Sequence, residues 1–240
     1  VEPGERKASV EEIRARFDKD VERFSNVETG QSATVDAPLT LELLAEAAAG
    51  LTPDCTALLD IGCGAGNFTL KLMDFLPRLG RVTLVDLSQP MLDRARQRIQ
   101  ARRDCAITGL QADIRDASLP EGEFDVVIAA AVLHHLRGDS EWQSVFSRIH
   151  RSLRAGGCFL VSDLVAHSMP AVQSVMWRRY GEYLTALKGP EYRNHVFDYV
   201  AYEDTPRPVV FQLDLMREVG FRNVDILHKN SCFAAFVGIK

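Results

Sequence analysis

A chain of 240 residues, 46% hydrophobic and 25% charged, suits one large α/β domain with an insertion and can bury a core of ordinary size. Its formal charge of −5 argues against a broad phosphate-binding surface, so nucleic acid is not the expected partner. The opening VEPGERKASVEEIR lacks the apolar stretch of a signal peptide, and nowhere do about 18 apolar residues run together, so the expectation is a cytoplasmic protein without a membrane span.

In chain order, Ser9 and Glu12 fit a capping box, and Val10, Ile13, Phe17, Val21 and Phe24 recur at helical spacing. After the polar SNVETGQSAT, Asp36 reads as an N-cap with Pro38 in the first turn, and Gly50 reads as the stop. From Ala57 strands alternate with helices, the signature of a parallel sheet covered on both faces. Strands are expected over Ala57–Ile61, Arg81–Asp86, Ala106–Gln111, Phe124–Ala130 and Cys158–Leu164. Helices are expected over Asn67–Leu76, Pro90–Arg103 and Glu141–Leu153, the last stopped by Gly156-Gly157.

Residues 165–206 break this rhythm and hold all five tyrosines together with Trp177. A helix near Val209–Val219 follows, and then VDIL and CFAAFVGI, separated by HKNS, predict a closing antiparallel hairpin. The five cysteines are scattered, with no C-x-x-C or Cys/His ligand spacing, so no metal is expected.

The stretch LLDIGCGAGN, residues 58–67, places glycines at 62, 64 and 66 where a strand gives way to a helix. Glycine there admits unusual dihedrals and close approach to bare backbone, at roughly 0.5–1 kcal/mol per residue relative to Ala in regular structure. The dinucleotide fingerprint G-x-G-x-x-G fails, because Asn67 stands where its third glycine belongs, and no G-K-[ST] follows to make a P-loop. Asp60, Asp86 and Asp113 each lie at or just beyond the C-terminal end of an expected strand. Any one alone fits a turn cap, whereas all three at strand C-termini mark where α/β sheets bind ligands. Asp86 is placed to accept both hydroxyls of a ribose, a feature shared with NAD enzymes.

DIGCGAG resembles the first motif of the class I S-adenosylmethionine-dependent methyltransferases. The resemblance implies an α/β, Rossmann-like, mostly parallel seven-stranded sheet with a C-terminal antiparallel hairpin, N-terminal helices and a helical cap insertion. It divides the chain into an N-terminal helical lid (1–54), a cofactor-binding core (55–164), the cap insertion (165–206) and a core completion (207–240). The implied cofactor is S-adenosyl-L-methionine. Asp60 would orient its methionine amino end, and Gly62, Cys63, Gly64 and Gly66 would admit methionine and ribose. The helix from Asn67 would offer N–H groups to the carboxylate. Leu87 and Met91 would pack near the adenine, Asp113-Ile114 would clamp it, and the backbone at Ala129 and Ala130 would meet the methionine.

His134 and His135 are candidate general bases, with a structural role as the other reading. As neighbours, at most one is expected to face the pocket. For the acceptor the candidates are Tyr180, Tyr183, Arg193 and Tyr199, with the loop around Thr29–Thr34. Tyr180 and Tyr183 would share a helix face. Lid packing, a solvated face and a homodimer interface are the alternatives for this segment. The implied activity is methyl transfer to a small-molecule acceptor. The ending GFRNVDILHKNSCFAAFVGIK, with the early RFDKDVERFSN, also resembles the branch that includes carboxy-S-adenosylmethionine synthases, which use prephenate. GCGAG is the ordinary methyltransferase loop, which puts methyl transfer first; a noncatalytic cofactor-binding partner subunit is the third reading.

Overall fold

A strand whose every residue is buried has to lie inside a sheet covered on both faces, and β1 (Ala57–Ile61) is such a strand. In the computed structural model, which describes residues 6–26 and 30–240, β2 (Arg81–Asp86) and β4 (Phe124–Ala130) flank it in parallel. Beyond them lie β3 (Ala106–Gln111) and β5 (Leu153–Leu164), also parallel. The hairpin of β6 (Asn223–Asn230) and β7 (Phe233–Ile239) adds to β5 antiparallel, giving seven strands in the order β3-β2-β1-β4-β5-β7-β6. This is the mostly parallel sheet with a C-terminal hairpin that the sequence led us to expect.

The helices are α1 (Val10–Lys19), α2 (Val21–Ser25), α3 (Ala37–Leu51), α4 (Asn67–Phe75), α5 (Gln89–Arg102), α6 (Asp139–Ser152), α7 (Pro170–Lys188), α8 (Pro190–Glu203) and α9 (Val209–Val219). Alternation along the strands sorts side chains between two cores. Leu58, Val126, Ile128 and Leu160 pack with Leu44, Leu72 and Ile99 of α3, α4 and α5. Leu59, Val127 and Phe159 pack instead with Trp142, Phe146 and Met216 of α6 and α9. A third, smaller core joins Tyr180, Leu184, Val196 and Val200 of α7 and α8 to Val35, Leu164 and Cys232 above the C-terminal edge of β5. Among the described residues no helix is long and apolar enough to cross a membrane.

Several local expectations give way. The first helical pattern is broken at Asp20 into α1, which carries the Ser9–Glu12 capping box, and α2. Asp36 is the N-cap residue of α3, as expected, but its side chain makes no capping hydrogen bond: it sits in the left-handed region at φ 57°, and its Oδ2 lies 2.9 Å from His228 Nε2 and accepts from Asn230 Nδ2 at 2.7 Å. It therefore ties the start of α3 to the hairpin. Gly50 lies inside α3, which runs to Leu51. Gly156-Gly157 does not stop α6 either, because β5 already begins at Leu153, and a register shift opposite Phe124 and Val126 absorbs the irregularity. His228, Lys229 and Asn230 pair within β6, leaving a turn of Ser231 and Cys232 alone.

Asp125 fixes the entry to β1. Its Oδ2 accepts from the N–H groups of Thr56 at 2.8 Å and Ala57 at 2.9 Å, and Arg154 Nη1 donates to Oδ1 at 2.9 Å. Burial opposes ionisation of this carboxyl, but those donors outweigh it and hold its pKa below the usual range. A lowered folded-state pKa contributes stability present above the unfolded value of about 3.9 and lost as pH falls through the folded one. Asp125→Ala is expected to cost about 1–3 kcal/mol at pH 7, measured by urea unfolding, with the deficit shrinking once the pH falls below about 4.

Candidate active site

The chain leaves β1 through three glycines with different tasks. A Cβ on Gly62 (φ +65°) would lie 2.8 Å from Val132, and one on Gly66 (φ +83°) would lie 3.2 Å from the Cβ of Ala95 in α5. A Cβ on Gly64 (φ +50°) would meet nothing within 4 Å. Gly66 thus serves helix packing, whereas Gly64 presents bare backbone to open space. That space is a cavity of about 220 Å³ at the C-terminal ends of β1, β2 and β4. The sheet order reverses between β1 and β4, the place where open α/β sheets bind ligands.

Gly64 N–H donates to Asp86 Oδ2 and Ser88 N–H to Asp86 Oδ1, both at 2.8 Å. Gly62, Cys63, Gly64, Asn67, Asp86, Leu87, Met91, Asp113, Ile114 and Ala130 all line the cavity. Asp60, Gly66 and Ala129 do not. Asp60 is buried behind the loop, where Thr69 Oγ1 donates to its Oδ2 at 2.6 Å and so ties α4 to β1. Ala129 points into the core on the α6 side, as alternation from Ala130 requires. Asn67 reaches the cavity wall, but its amide donates to Phe24 O at 2.8 Å and accepts from Arg98 Nη1 at 2.8 Å, pinning α2 down.

Burial pushes the Asp86 carboxyl up to about 6 and that of Asp60 up to about 7; neither has a cationic partner among its hydrogen bonds. Burial also raises the Cys63 thiol, beside these two acids. Asp113 behaves oppositely. Burial opposes its charge, but Arg115 donates to Oδ1 through its backbone N–H at 2.8 Å and to Oδ2 through Nη2 at 2.6 Å, holding the carboxyl below its ordinary range.

At the other end of the cavity the chain turns sharply. Ala131 takes φ +54°, and a 3-10 turn over Leu133–His135 follows. Both histidines line the cavity, with ring centroids 4.4 Å apart, which corrects the expectation that only one would. The tight turn and one shared carboxylate draw both rings the same way: Asp204 Oδ1 lies 3.6 Å from His134 Nε2 and 3.2 Å from His135 Nδ1. His134 pairs through Nδ1 with Asp163, whose Oδ2 accepts the His134 backbone N–H at 3.1 Å. Burial disfavours the imidazolium, but Asp163 and Asp204 outweigh it and push His134 up to about 9. Near neutral pH His134 therefore holds its proton, so it is not a free base there.

Helices α1, α2, α7 and α8 roof the cavity with Phe17, Phe24, Tyr180, Tyr199 and Arg16, the last paired through Nε with Glu203 Oε1 at 2.8 Å. Tyr180 and Tyr183 do share a face, donating to the carbonyls of Ala33 at 3.0 Å and Ser32 at 2.9 Å. Only Tyr180 of the two lines the cavity. Burial pushes the Tyr199 hydroxyl up to about 12. Arg193 is turned away, donating to the neighbouring Asn194 Oδ1. Of the expected acceptor loop, Gly30, Gln31, Ala33 and Thr34 line the cavity, while Thr29 lies outside the described residues. Sequence reasoning missed Asp163, Asp204, Arg16 and Arg115. An acid ending β5 was a signal for Asp163 by the rule that found Asp86. Asp204 carried none, being brought to His134 by the fold of α8.

A family profile described as a methyltransferase domain matches residues 58–157. The chain is 32% identical over 142 residues to an uncharacterized methyltransferase of Mycobacterium tuberculosis, covering 59% of this chain and 65% of that one. It is 28% identical over 147 residues to the malonyl-[acyl-carrier protein] O-methyltransferase of a Paenibacillus species, covering 60% and 51% respectively. It thus spans about half to two thirds of the length of these relatives. Among solved structures, an O-methyltransferase family protein from Burkholderia thailandensis superposes with a TM-score of 0.65 at 17% identity, covering 94% of this chain and 62% of that chain. Human N-acetylserotonin methyltransferase superposes at 0.60 with 18% identity, covering 98% and 63%. At such identities these structures speak for the fold.

A folded-state pKa raised to about 7 at Asp60 lies well above the unfolded value of about 3.9. Its contribution to stability is therefore fully present below about pH 4 and is lost as pH rises through 7. Asp60→Asn keeps an acceptor for Thr69 and removes the titration. The ligand-free variant is expected to gain in melting temperature relative to the parent protein between pH 5 and pH 8. Calorimetric scans showing a constant difference across that range would mean that Asp60 titrates normally.

Proposed function

From a chain whose residues 58–157 form a methyltransferase domain of the class I, S-adenosylmethionine-dependent kind, we propose methyl transfer to a small-molecule acceptor held in the cavity. The observation that carries this reading is the Asp86 carboxylate at the end of β2, set beside the open backbone of Gly64. The residues present fit the cofactor. Each Asp86 oxygen accepts one backbone N–H and keeps a lone pair for a ribose hydroxyl. Leu87, Met91 and Ile114 offer an apolar slot for adenine, and Asp113, although engaged by Arg115, retains acceptor capacity at its edge. Gly62, Cys63 and Gly64 provide a wall of backbone for the ribose and methionine. The N-terminus of α4 has no side-chain cap and offers its N–H groups to a carboxylate. Asp60 acts at one remove, fixing α4 to β1 through Thr69.

When bound, S-adenosylmethionine supplies an already activated methyl group, so the protein need create no electrophile. The task left to the chain is alignment and exclusion of water, and proximity of this kind can supply about 7–11 kcal/mol. Phe17, Phe24, Tyr180 and Tyr199 build an apolar wall for the acceptor, and the group of His134, His135, Asp163 and Asp204 gives that wall one polar end. Residues 1–54 and 165–206 act as lid and cap in this reading, and residues 55–164 with 207–240 form the cofactor-binding core. Enclosure and negative charge support a small molecule over nucleic acid as acceptor, in a cytoplasmic setting. Among the described residues no feature of the cavity favours carboxylation of the cofactor: Arg16, Arg23 and Arg115 are each ion-paired, and Arg193 lies outside.

Losing a charge-assisted contact to both ribose hydroxyls removes more than about 1.4 kcal/mol, or ten-fold in affinity. Asp86→Ala is accordingly expected to weaken S-adenosylmethionine binding more than ten-fold by calorimetry. Unchanged affinity in the folded variant would take Asp86 out of the site.

A further inference from the structure

We propose that His134, His135 and Asp204 form a binding site for a first-row divalent transition-metal ion at the acceptor end of the cavity. The sequence carries no metal-ligand spacing, since Asp204 stands far from the histidine pair, and the group exists only because α8 folds back over the 3-10 turn. One potential ligand atom from each residue falls within 4.8 Å of the others. The separations from Asp204 Oδ1, 3.6 Å to His134 Nε2 and 3.2 Å to His135 Nδ1, bracket the roughly 3.4 Å expected between ligands lying about 2.1 Å from one tetrahedral ion.

A second observation points to a missing ligand. Asp204 is 5% exposed, and its Oδ1 has no hydrogen-bond partner; His135 Nδ1, although only 3.2 Å away, is not aligned to bond it and is also left without one. A buried acceptor left unsatisfied costs on the order of 1–3 kcal/mol, more when charged. A cation between the two atoms would satisfy both.

The surroundings are those of a metal-binding histidine. Asp163 is fully buried, pairs with His134 Nδ1 and accepts the N–H groups of His134 and Leu164, the latter at 2.8 Å. Bonding at Nδ1 fixes the ring and turns Nε2 towards Asp204, so an ion bound there displaces the Nε2 proton and completes the carboxylate–histidine–metal arrangement in which an outer carboxylate orients the ligand. Two imidazoles with one carboxylate favour zinc, iron, cobalt or manganese over magnesium, which prefers oxygen alone. All three residues line the cavity, so the remaining coordination positions open towards the acceptor. This extension rests on the methyl-transfer reading: the acceptor class it selects is a small molecule with an ionisable hydroxyl, whose oxygen the ion would bind and whose pKa it would lower. The rival is an ion pair between Asp204 and protonated histidine, with no metal.

Metal binding is read without cofactor or acceptor. Protein stripped with a chelator is titrated with Co²⁺, following visible absorption and calorimetric heat. One ion per chain is expected, with Asp204→Asn and His135→Gln each weakening it more than ten-fold at unchanged circular dichroism. Because a variant can fail to fold, pulsed electron resonance of Cu²⁺ on the unmodified protein is the second measurement, and modulation from two imidazole nitrogens is expected. Absence of uptake in protein that still binds S-adenosylmethionine would overturn the metal site and leave the methyl-transfer reading intact. Uptake indifferent to both substitutions, or modulation from fewer than two imidazoles, would place the ion elsewhere and equally overturn it.

Discussion

The hydrogen bond from Gly64 N–H to Asp86 Oδ2 holds the loop after β1 against the turn after β2, and the rest of the site depends on it. Register alone brings these two strand ends side by side, since Ile61 is the partner of Val85 in the sheet. The glycine loop must then cross the end of the sheet without side chains, which would strike Val132 at one point and α5 at another. Once the loop is pinned, α4 starts at a fixed place, and Asp60 needs only Thr69 to lock the helix to its strand. Two acids at strand ends thus do different work. Asp86 faces the cavity, whereas Asp60, deeper in β1, secures the loop from behind.

Within the roof, α7 and α8 are seated on the third apolar core, whereas the N-terminal helices are tied on through polar links. Arg16 of α1 grips Glu203 at the end of α8, Ala8 N–H donates to Tyr202 O at 3.0 Å, and Arg94 Nε of α5 donates to Ser25 Oγ at 3.0 Å below α2. The first two of these bonds join the N-terminal segment to the end of α8, nearly the whole chain away, and the third ties α2 to α5. Partly exposed polar contacts each contribute little, about 0–1 kcal/mol for an exposed ion pair, and such elements open more readily than a packed core. A cavity walled by the rigid sheet on one side and by separable helices on the other suits an enzyme that must admit and then enclose an acceptor.

What was legible in the sequence follows from what is local. β1 to β4, the glycine loop, and the acids at 60, 86 and 113 are encoded within a few residues of one another, by apolar alternation and by turns that only certain residues make. The closing hairpin was legible too, since β-rich runs about a polar break need no knowledge of the rest. The purpose of each glycine was not: the sequence cannot tell that Gly66 faces Ala95 of α5 while Gly64 faces open space. Asp36 does hold the N-cap position that the sequence assigned it, yet with a left-handed backbone its carboxylate goes to the distant His228 and Asn230 rather than to the helix. The histidine pair was misjudged for a similar reason. Divergence of adjacent side chains holds for regular helix and strand, whereas a 3-10 turn under a shared carboxylate lets both rings converge.

Burial works against the charge of the acids at the ends of β1 and β2, whereas Asp113, Asp204 and His134 each have oppositely charged neighbours that offset it. Burial raises Asp60 and Asp86, neither compensated by a cation through its hydrogen bonds, while His134 keeps its proton only because two carboxylates flank it. A core built for stability alone would not gather these groups, since buried ionisable side chains rarely repay their desolvation. Asp86 is instead a group whose environment improves when hydroxyl donors arrive, and Asp204, although the two histidines offset its charge, has an Oδ1 left without a hydrogen bond. Any ligand that binds only the folded chain stabilises it by RT ln(1 + [L]/Kd), about 2.7 kcal/mol at a hundred-fold excess over Kd. The poorly satisfied polar groups and the enclosing helices therefore express one design, in which filling the cavity supplies partners that the chain by itself leaves out.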